Sequence, residues 1–138
     1  MSGDTPAPLT ACLDTSFLVD VLRGDPEARR RFRDLVAHGA AGITPVTLGF
    51  LYLGAFRSRT PREVRRVREL ESLLQFLPFR PRAGRLFGRL MARLRTAGED
   101  VGAEDGMIAA IALDLGLRIL TRDVRYFSRV AGLRVETY

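Results

Sequence analysis

The run Thr10-Ala11-Cys12-Leu13-Asp14-Thr15-Ser16 joins a short apolar segment to an acid and two hydroxyl residues, and Ile119-Leu120-Thr121-Arg122-Asp123 repeats that pattern late in the chain. Short apolar runs of this kind read as buried strands. The strand candidates are Thr10 to Leu13, Ala41 to Ile43, Phe76 to Phe79, Arg118 to Leu120 and Leu133 to Glu136. Stretches with helical spacing separate them. Connections this long are crossovers, so the strands run parallel, and the alternation reads as one α/β domain over residues 1–138. In an open parallel sheet ligands bind at the carboxyl ends of the strands, where Asp14 and Asp123 both stand.

The helices are announced by their first residues. Asp25-Pro26 places an N-cap before proline at the first helical position and opens a helix through Phe32, Leu35 and Val36 that stops at Gly39. Thr44-Pro45 repeats the signal for a helix to about Arg57. Thr60-Pro61-Arg62-Glu63 is a capping box, followed by Val64, Val67, Leu70 and Leu74 at helical spacing, which predicts a helix from Pro61 to about Gln75. Pro81 starts another, with Leu86, Leu90 and Leu94 on one stripe, ending near Gly98. The last runs from Ala103 to Leu115, turning Met107, Ile108, Ile111 and Ala112 to a core, and Gly116 closes it. His38, the sole histidine, stands before Gly39 and reads as a helix-end residue ahead of a catalytic one.

Composition narrows the chemistry. With 46% apolar and 28% charged residues the chain is ordinary globular material, able to bury roughly two-thirds of its unfolded surface. No apolar run approaches the ~18 residues of a membrane span, and the first ten residues carry no leader pattern, so a soluble, unexported, cytoplasmic protein is expected. Cys12 is the only cysteine, which excludes a disulfide scaffold or a cysteine metal cluster. All 22 basic residues are Arg and none is Lys, which removes lysine Schiff-base chemistry and a Walker-type phosphate loop. The net charge of +6 is concentrated: residues 57–95 hold 12 Arg against 3 acids. Arginine forks suit phosphates, so a polyanion such as RNA is one reading of that third, and a solvated helix face is the other.

Asp14, Asp105 and Asp123 come from distant parts of the chain yet map to one edge of the sheet, Asp105 in the first turn of the helix that begins near Ala103. Aspartates gathered this way repel unless a cation holds them. Oxygen-only ligands suit Mg²⁺ or Mn²⁺, which can activate water and neutralise charge on a phosphate. Each acid also has a plainer reading: Asp14 as N-cap of a short helix through Phe17, Leu18 and Leu22, Asp105 as a first-turn acid, Asp123 as a turn or cap residue. Ser16 and Thr121 stand where a hydroxyl can hold a carboxylate, or simply shape a turn. Arg122 and Arg125, near the acidic centre, are candidate contacts to an RNA phosphate or surface ion-pair residues.

The stretch Leu13-Asp14-Thr15-Ser16-Phe17-Leu18-Val19-Asp20-Val21-Leu22-Arg23-Gly24 resembles the opening of PIN-domain proteins of the VapC toxin type. The likeness continues in order through Thr44 to Leu48, Leu77-Pro78-Phe79, Gly102 to Asp105 with Ile108-Ala109-Ala110, Leu120 to Asp123 with Phe127, and Gly132 to Glu136. The resemblance implies a PIN-like three-layer α/β/α domain with a mainly parallel central sheet, acting as a Mg²⁺- or Mn²⁺-dependent ribonuclease. Such proteins are commonly the toxin of a toxin–antitoxin pair and commonly homodimeric. On this reading Asp14, Asp105 and Asp123 are the metal-binding and catalytic acids. The apolar excess on the helices from Pro45 to Arg57 and Pro61 to Gln75, with Leu48, Leu51, Tyr52, Ala55 and Phe56, receives an antitoxin's amphipathic segment or serves core and dimer packing.

One position departs from the family pattern. A glutamate is usual two residues beyond Thr47-Leu48, and this chain has Phe50, which cannot ligate a cation. Arg80 likewise stands where the family often has an acid. Three readings of Phe50 remain open. The helix packs one more apolar residue and activity is lost, Glu104 or Asp100 compensates, or the substitution is a loss-of-toxicity change. All three imply weaker metal binding than four carboxylates give.

Overall fold

The computed structural model describes residues 10–99 and 102–138. The stretch read as lacking a leader, up to Leu9, and Asp100 lie outside the described residues. The elements in order are β1 (Ala11–Leu13), α1 (Thr15–Arg23), α2 (Pro26–Ala37), β2 (Ala41–Ile43), α3 (Pro45–Arg57), α4 (Pro61–Ser72), β3 (Gln75–Phe76), α5 (Pro81–Thr96), α6 (Ala103–Leu115), β4 (Arg118–Leu120), α7 (Val124–Phe127) and β5 (Val135–Glu136).

Strand side chains alternate between two faces, and that alternation makes the layers. Ala11 and Leu13 of β1, Ala41 and Ile43 of β2 and Leu120 of β4 pack with Phe17, Leu35, Leu51 and Leu70 from α1 to α4. Cys12 and Ile119 turn the other way, against Ala83 of α5, Ile108 and Ile111 of α6 and Phe127 of α7. The result is a three-layer α/β/α sandwich around five strands in the order β3-β2-β1-β4-β5. Every ladder is parallel, whereas the sequence promised only a mainly parallel sheet. At Gly42 the sheet has no room for a side chain, since a Cβ there would stand 2.8 Å from Leu77 Cδ1. Among the described residues no helix is long and apolar enough to cross a membrane.

The caps behave largely as their residues promise. Ala28 N–H donates to Asp25 Oδ2 (2.9 Å), Thr47 N–H to Thr44 Oγ1 (3.1 Å) and Glu63 N–H to Thr60 Oγ1 (3.4 Å). The capping box is only half made. Glu63 pairs with Arg66 at 3.3 Å instead of reaching back, and Thr60 N–H donates to Ser58 Oγ. His38 is the C-cap of α2, its Nδ1 2.8 Å from Asp34 O, which is the helix-end role expected of it.

Three boundaries shift. The helix expected to reach Gln75 stops at Ser72, because Gln75 and Phe76 are claimed by the ladder with Gly42 and Ile43. The strand expected over Phe76 to Phe79 ends early: Leu77 N–H still donates to Ile43 O (2.8 Å), but Pro78 has no N–H to continue and β2 has no further residue to offer. Leu133 is not in the last strand, since its N–H is spent on Val130 O, and pairing begins with Arg134 O accepting from Ile119.

Candidate active site

The chain visits β2 and β3 on one side of β1 and then returns to place β4 on the other, so the sheet reverses its order between β1 and β4. The crevice beyond the carboxyl ends of these two strands is where such sheets bind ligands. Asp14 leaves β1 there, its N–H bonded to Leu120 O (3.0 Å), and Asp123 follows β4.

Asp14 is 2% exposed. It occupies the N-cap position of α1 without capping it, because its side chain makes no bond to the helix. Its Oδ2 accepts instead from Ser16 Oγ and from Thr121 Oγ1, both at 2.8 Å. Thr121 is fully buried and its oxygen also accepts from Asp123 N–H (2.9 Å), while Ser16 Oγ accepts from Arg122 N–H (3.1 Å). The two hydroxyls therefore tie the acid of the first strand to the loop that carries the acid of the fourth. Asp14 Oδ1, by contrast, is buried with no hydrogen-bond partner. A buried ionised oxygen without a donor is costly unless a cation completes it.

Asp105 is half-buried in the first turn of α6, and its carboxyl is pushed up to about 6. Burial is the main cause, followed by the charges of Asp14 and Asp123 and, least, of Glu104. That order places Asp105 in the field of both other acids. Asp123 is exposed and stands at the N-cap position of α7 without capping it. The plainer readings thus hold for position, since both residues are N-caps, but neither carboxylate is spent on the helix end. Among the described residues, however, no three acidic, His or Cys side chains are gathered closely enough to hold a metal ion as they stand. The set fits a hard cation by its donors and its unpartnered oxygen; it is not a closed cage.

The pH response follows from Asp105. Its folded value lies above the ordinary one, so the native state binds this proton more tightly, and this residue's contribution to stability improves as pH falls from about 6 toward 4. Metal binding needs the ionised form, so the expected sign is opposite. Mn²⁺ affinity measured by calorimetry should weaken about tenfold between pH 7 and pH 5, and Asp105→Asn should flatten that dependence. An affinity that does not change with pH would separate Asp105 from the cation.

The other expected residues divide. Arg122 Nη1 is held by Asp20 Oδ1 (2.7 Å), and Arg125 is exposed beside it on α7. Arg80 spends its guanidinium on Asp114, whose side chain is fully buried at the far end of α6, with Nε at 2.8 Å and Nη2 at 3.1 Å. It serves the scaffold. Glu104 is exposed, its Oε2 lies near Gly102, and its charge reaches Asp105, though less than those of Asp14 and Asp123. Phe50 is 41% exposed and is no part of the core, which corrects the packing reading. It borders a cavity of about 700 Å³ between α1, α3 and α4, with Val19, Leu22 and Val67 as apolar lining and Arg23, Arg29, Arg62 and Arg66 around it.

Two residues escaped sequence reasoning. Asp20 accepts from Arg122 and from Tyr138 Oη, and Tyr126 Oη accepts the Gly102 N–H at the start of the helix that carries Asp105. Asp20 stands four residues after Ser16 on the same helix, a spacing that could have raised it. Nothing in the sequence marks Tyr126.

The sequence matches the family model of the PIN domain over residues 11–133. The chain is a PIN-domain protein. Its relatives include "Ribonuclease VapC2" of Haemophilus influenzae, 32% identical over 91% of this chain and 96% of that protein. Another is the "tRNA(fMet)-specific endonuclease VapC" of Shigella flexneri, 34% identical over 91% of this chain and 96% of the relative. The fold superposes on the crystal structure of DNA-bound VapBC from Salmonella typhimurium with a TM-score of 0.86 at 32% identity, covering 94% of this chain and 98% of that one. This PIN domain is therefore of the VapC kind over the matched region.

Proposed function

We propose that this PIN domain is a Mg²⁺- or Mn²⁺-dependent ribonuclease, the toxin of a toxin–antitoxin pair, working below the family's usual rate because Phe50 replaces a carboxylate. The observation that carries the reading is Asp14: buried, fixed on one oxygen by two hydroxyls, and bare on the other, with Asp105 held close enough to feel its charge. Asp14, Asp105 and Asp123 would hold the cation, which when bound activates water and neutralises charge on the phosphate. Ser16 and Thr121 orient Asp14. Arg122, braced by Asp20, and Arg125 offer guanidinium groups to the RNA phosphate beside the acids.

The ribonuclease names of the curated relatives support an RNA substrate, and the VapBC neighbours support a cognate antitoxin. The cavity beside Phe50 suits an antitoxin segment with apolar residues on one face and acids that meet the surrounding arginines. A homodimer working in the cytoplasm completes the proposal. The second reading, a catalytically inactive RNA- or antitoxin-binding module, is favoured by Phe50 itself.

Purified protein incubated with RNA and Mn²⁺ should cleave slowly, and cleavage should vanish with EDTA or with Asp14→Asn. Activity that survives both treatments would come from elsewhere and end the proposal.

A further inference from the structure

Helix α5 contains no acid. Its sequence, Pro81 to Thr96, turns Ala83, Met91 and Leu94 inward and leaves Arg82, Arg85, Arg89 and Arg93 exposed. At 100° per residue these four fall within an arc of about 80° and extend over roughly 16 Å of helix. Each is three or four residues from the next, so they repel one another as neighbours on a helix face. A merely solvated face relieves such repulsion with interspersed acids, as α4 does where Glu63 pairs with Arg66. Among the described residues only Arg82 of the four comes within ion-pair distance of an acid, Asp114 at 3.8 Å, which Arg80 already holds and whose charge also reaches Arg85. Among the described residues Arg85, Arg89 and Arg93 make no ion pair.

The stripe has a fixed relation to the acidic crevice. Gly106, the residue after Asp105, faces α5 so closely that a Cβ there would stand 2.7 Å from Met91 Sδ and 3.2 Å from Phe87 Cε1. Arg93 lies two residues beyond Met91, at the end of α5 that flanks Asp105, and Arg82 lies at the other end beside Asp114. Next to the stripe, Gly84 and Gly88 have open space where a Cβ would be, which lets a backbone come close.

We propose that Arg85, Arg89 and Arg93 form a track for the sugar-phosphate backbone of the RNA, leading from the acidic crevice along α5. The track rests on the ribonuclease reading for the identity of its ligand. Its chemistry is that of planar forks binding phosphates, with no exposed large apolar residue on α5 to anchor a protein. The exposed Phe50, Leu53 and Phe56 belong to α3, in the helical layer on the opposite face of the sheet. The track and this apolar surface therefore lie on different faces of the sheet.

The test compares the full chain with two triple variants that lose the same charge, Arg85→Gln/Arg89→Gln/Arg93→Gln on the track and Arg57→Gln/Arg65→Gln/Arg68→Gln away from it. Binding of a labelled 20-nucleotide single-stranded RNA is followed by anisotropy in EDTA from 50 to 300 mM salt. Three lost phosphate contacts should lower the slope of log affinity against log salt by about 2 and weaken binding about 100-fold at 0.1 M salt. The control should lose less than tenfold. If the triple variant fails to fold, Arg89→Gln alone should lose about fivefold with a slope change of about 0.7. An unchanged slope, equal losses in both triple variants, or loss of a co-purifying acidic protein with RNA binding intact would each overturn the track. Wild-type chain that cleaves RNA while the track variant binds as tightly sinks the track alone. Wild-type chain that binds through the track without cleaving sinks the ribonuclease reading alone, and wild-type chain that binds no RNA sinks both.

Discussion

Phe50→Glu should raise Mn²⁺-dependent RNA cleavage by about 100-fold or more, the scale on which a single well-placed polar group alters a transition state. The side chain at this position lies one helical turn beyond Thr47, whose hydroxyl takes a hydrogen bond from Thr15 Oγ1 at 3.0 Å, next to Asp14 in the chain. Phe50 is exposed, so a glutamate there would ionise without the penalty of burial. Two forces compete for it. A cation held by Asp14, Asp105 and Asp123, as proposed above, would draw it toward the crevice, and Arg23, Arg29, Arg62 and Arg66 around the cavity would draw it away. A doubly charged ion among three acids offers the stronger field, so gain of activity is the expected outcome. Phe50→Gln, which cannot bring charge, should recover far less. Wild-type Mn²⁺ affinity should be weaker than micromolar by calorimetry, and the glutamate variant should tighten it. If cleavage stays flat with Phe50→Glu, the three remaining acids no longer form a working centre and the binding-module reading prevails.

Thr121→Val should destabilise the protein by about 2–3 kcal/mol, although it conserves volume and shape. The hydroxyl donates to Asp14 Oδ2 in a place closed to water and accepts from Asp123 N–H at its part-buried edge. Its removal leaves a buried carboxylate with one donor instead of two and a backbone N–H with none. Metal affinity should fall about 10- to 100-fold, as it does when a group that orients a ligand is lost. Thr121→Ser restores the oxygen and should rescue both. Thermal or urea unfolding reads the first effect and Mn²⁺ titration the second. A valine variant as stable as the parent would mean that the hydroxyl does not support Asp14.

The layout was legible wherever a single residue type has one physical use. Proline after a hydroxyl or acid marked the starts of α2, α3 and α4, because only there is its missing N–H harmless. Short runs without acids, Ala-Cys-Leu, Ala-Gly-Ile and Arg-Ile-Leu, marked β1, β2 and β4, since the central strands are covered on both sides. The two-residue edge strands β3 and β5 were misplaced by one to three positions at their ends because too few side chains remain to set a period. At the candidate site, Asp14 and Asp123 could be placed by their position after strands and Asp105 by its position in the first turn of a helix. What the sequence did not disclose was allegiance: that Arg80 serves Asp114, that Arg122 leans on Asp20, and that Phe50 looks into a cavity instead of the core. Each of those choices is made between side chains tens of residues apart, and no local pattern records it.

The bond from Thr121 to Asp14 joins residues 107 positions apart, and β4 must pair with β1 before it can form. During translation the first acid therefore waits without its companions until the final third of the polypeptide has left the ribosome. On the ribonuclease reading proposed above, a half-made chain would be harmless to the cell that is making it, because the hazard would arm itself only on completion.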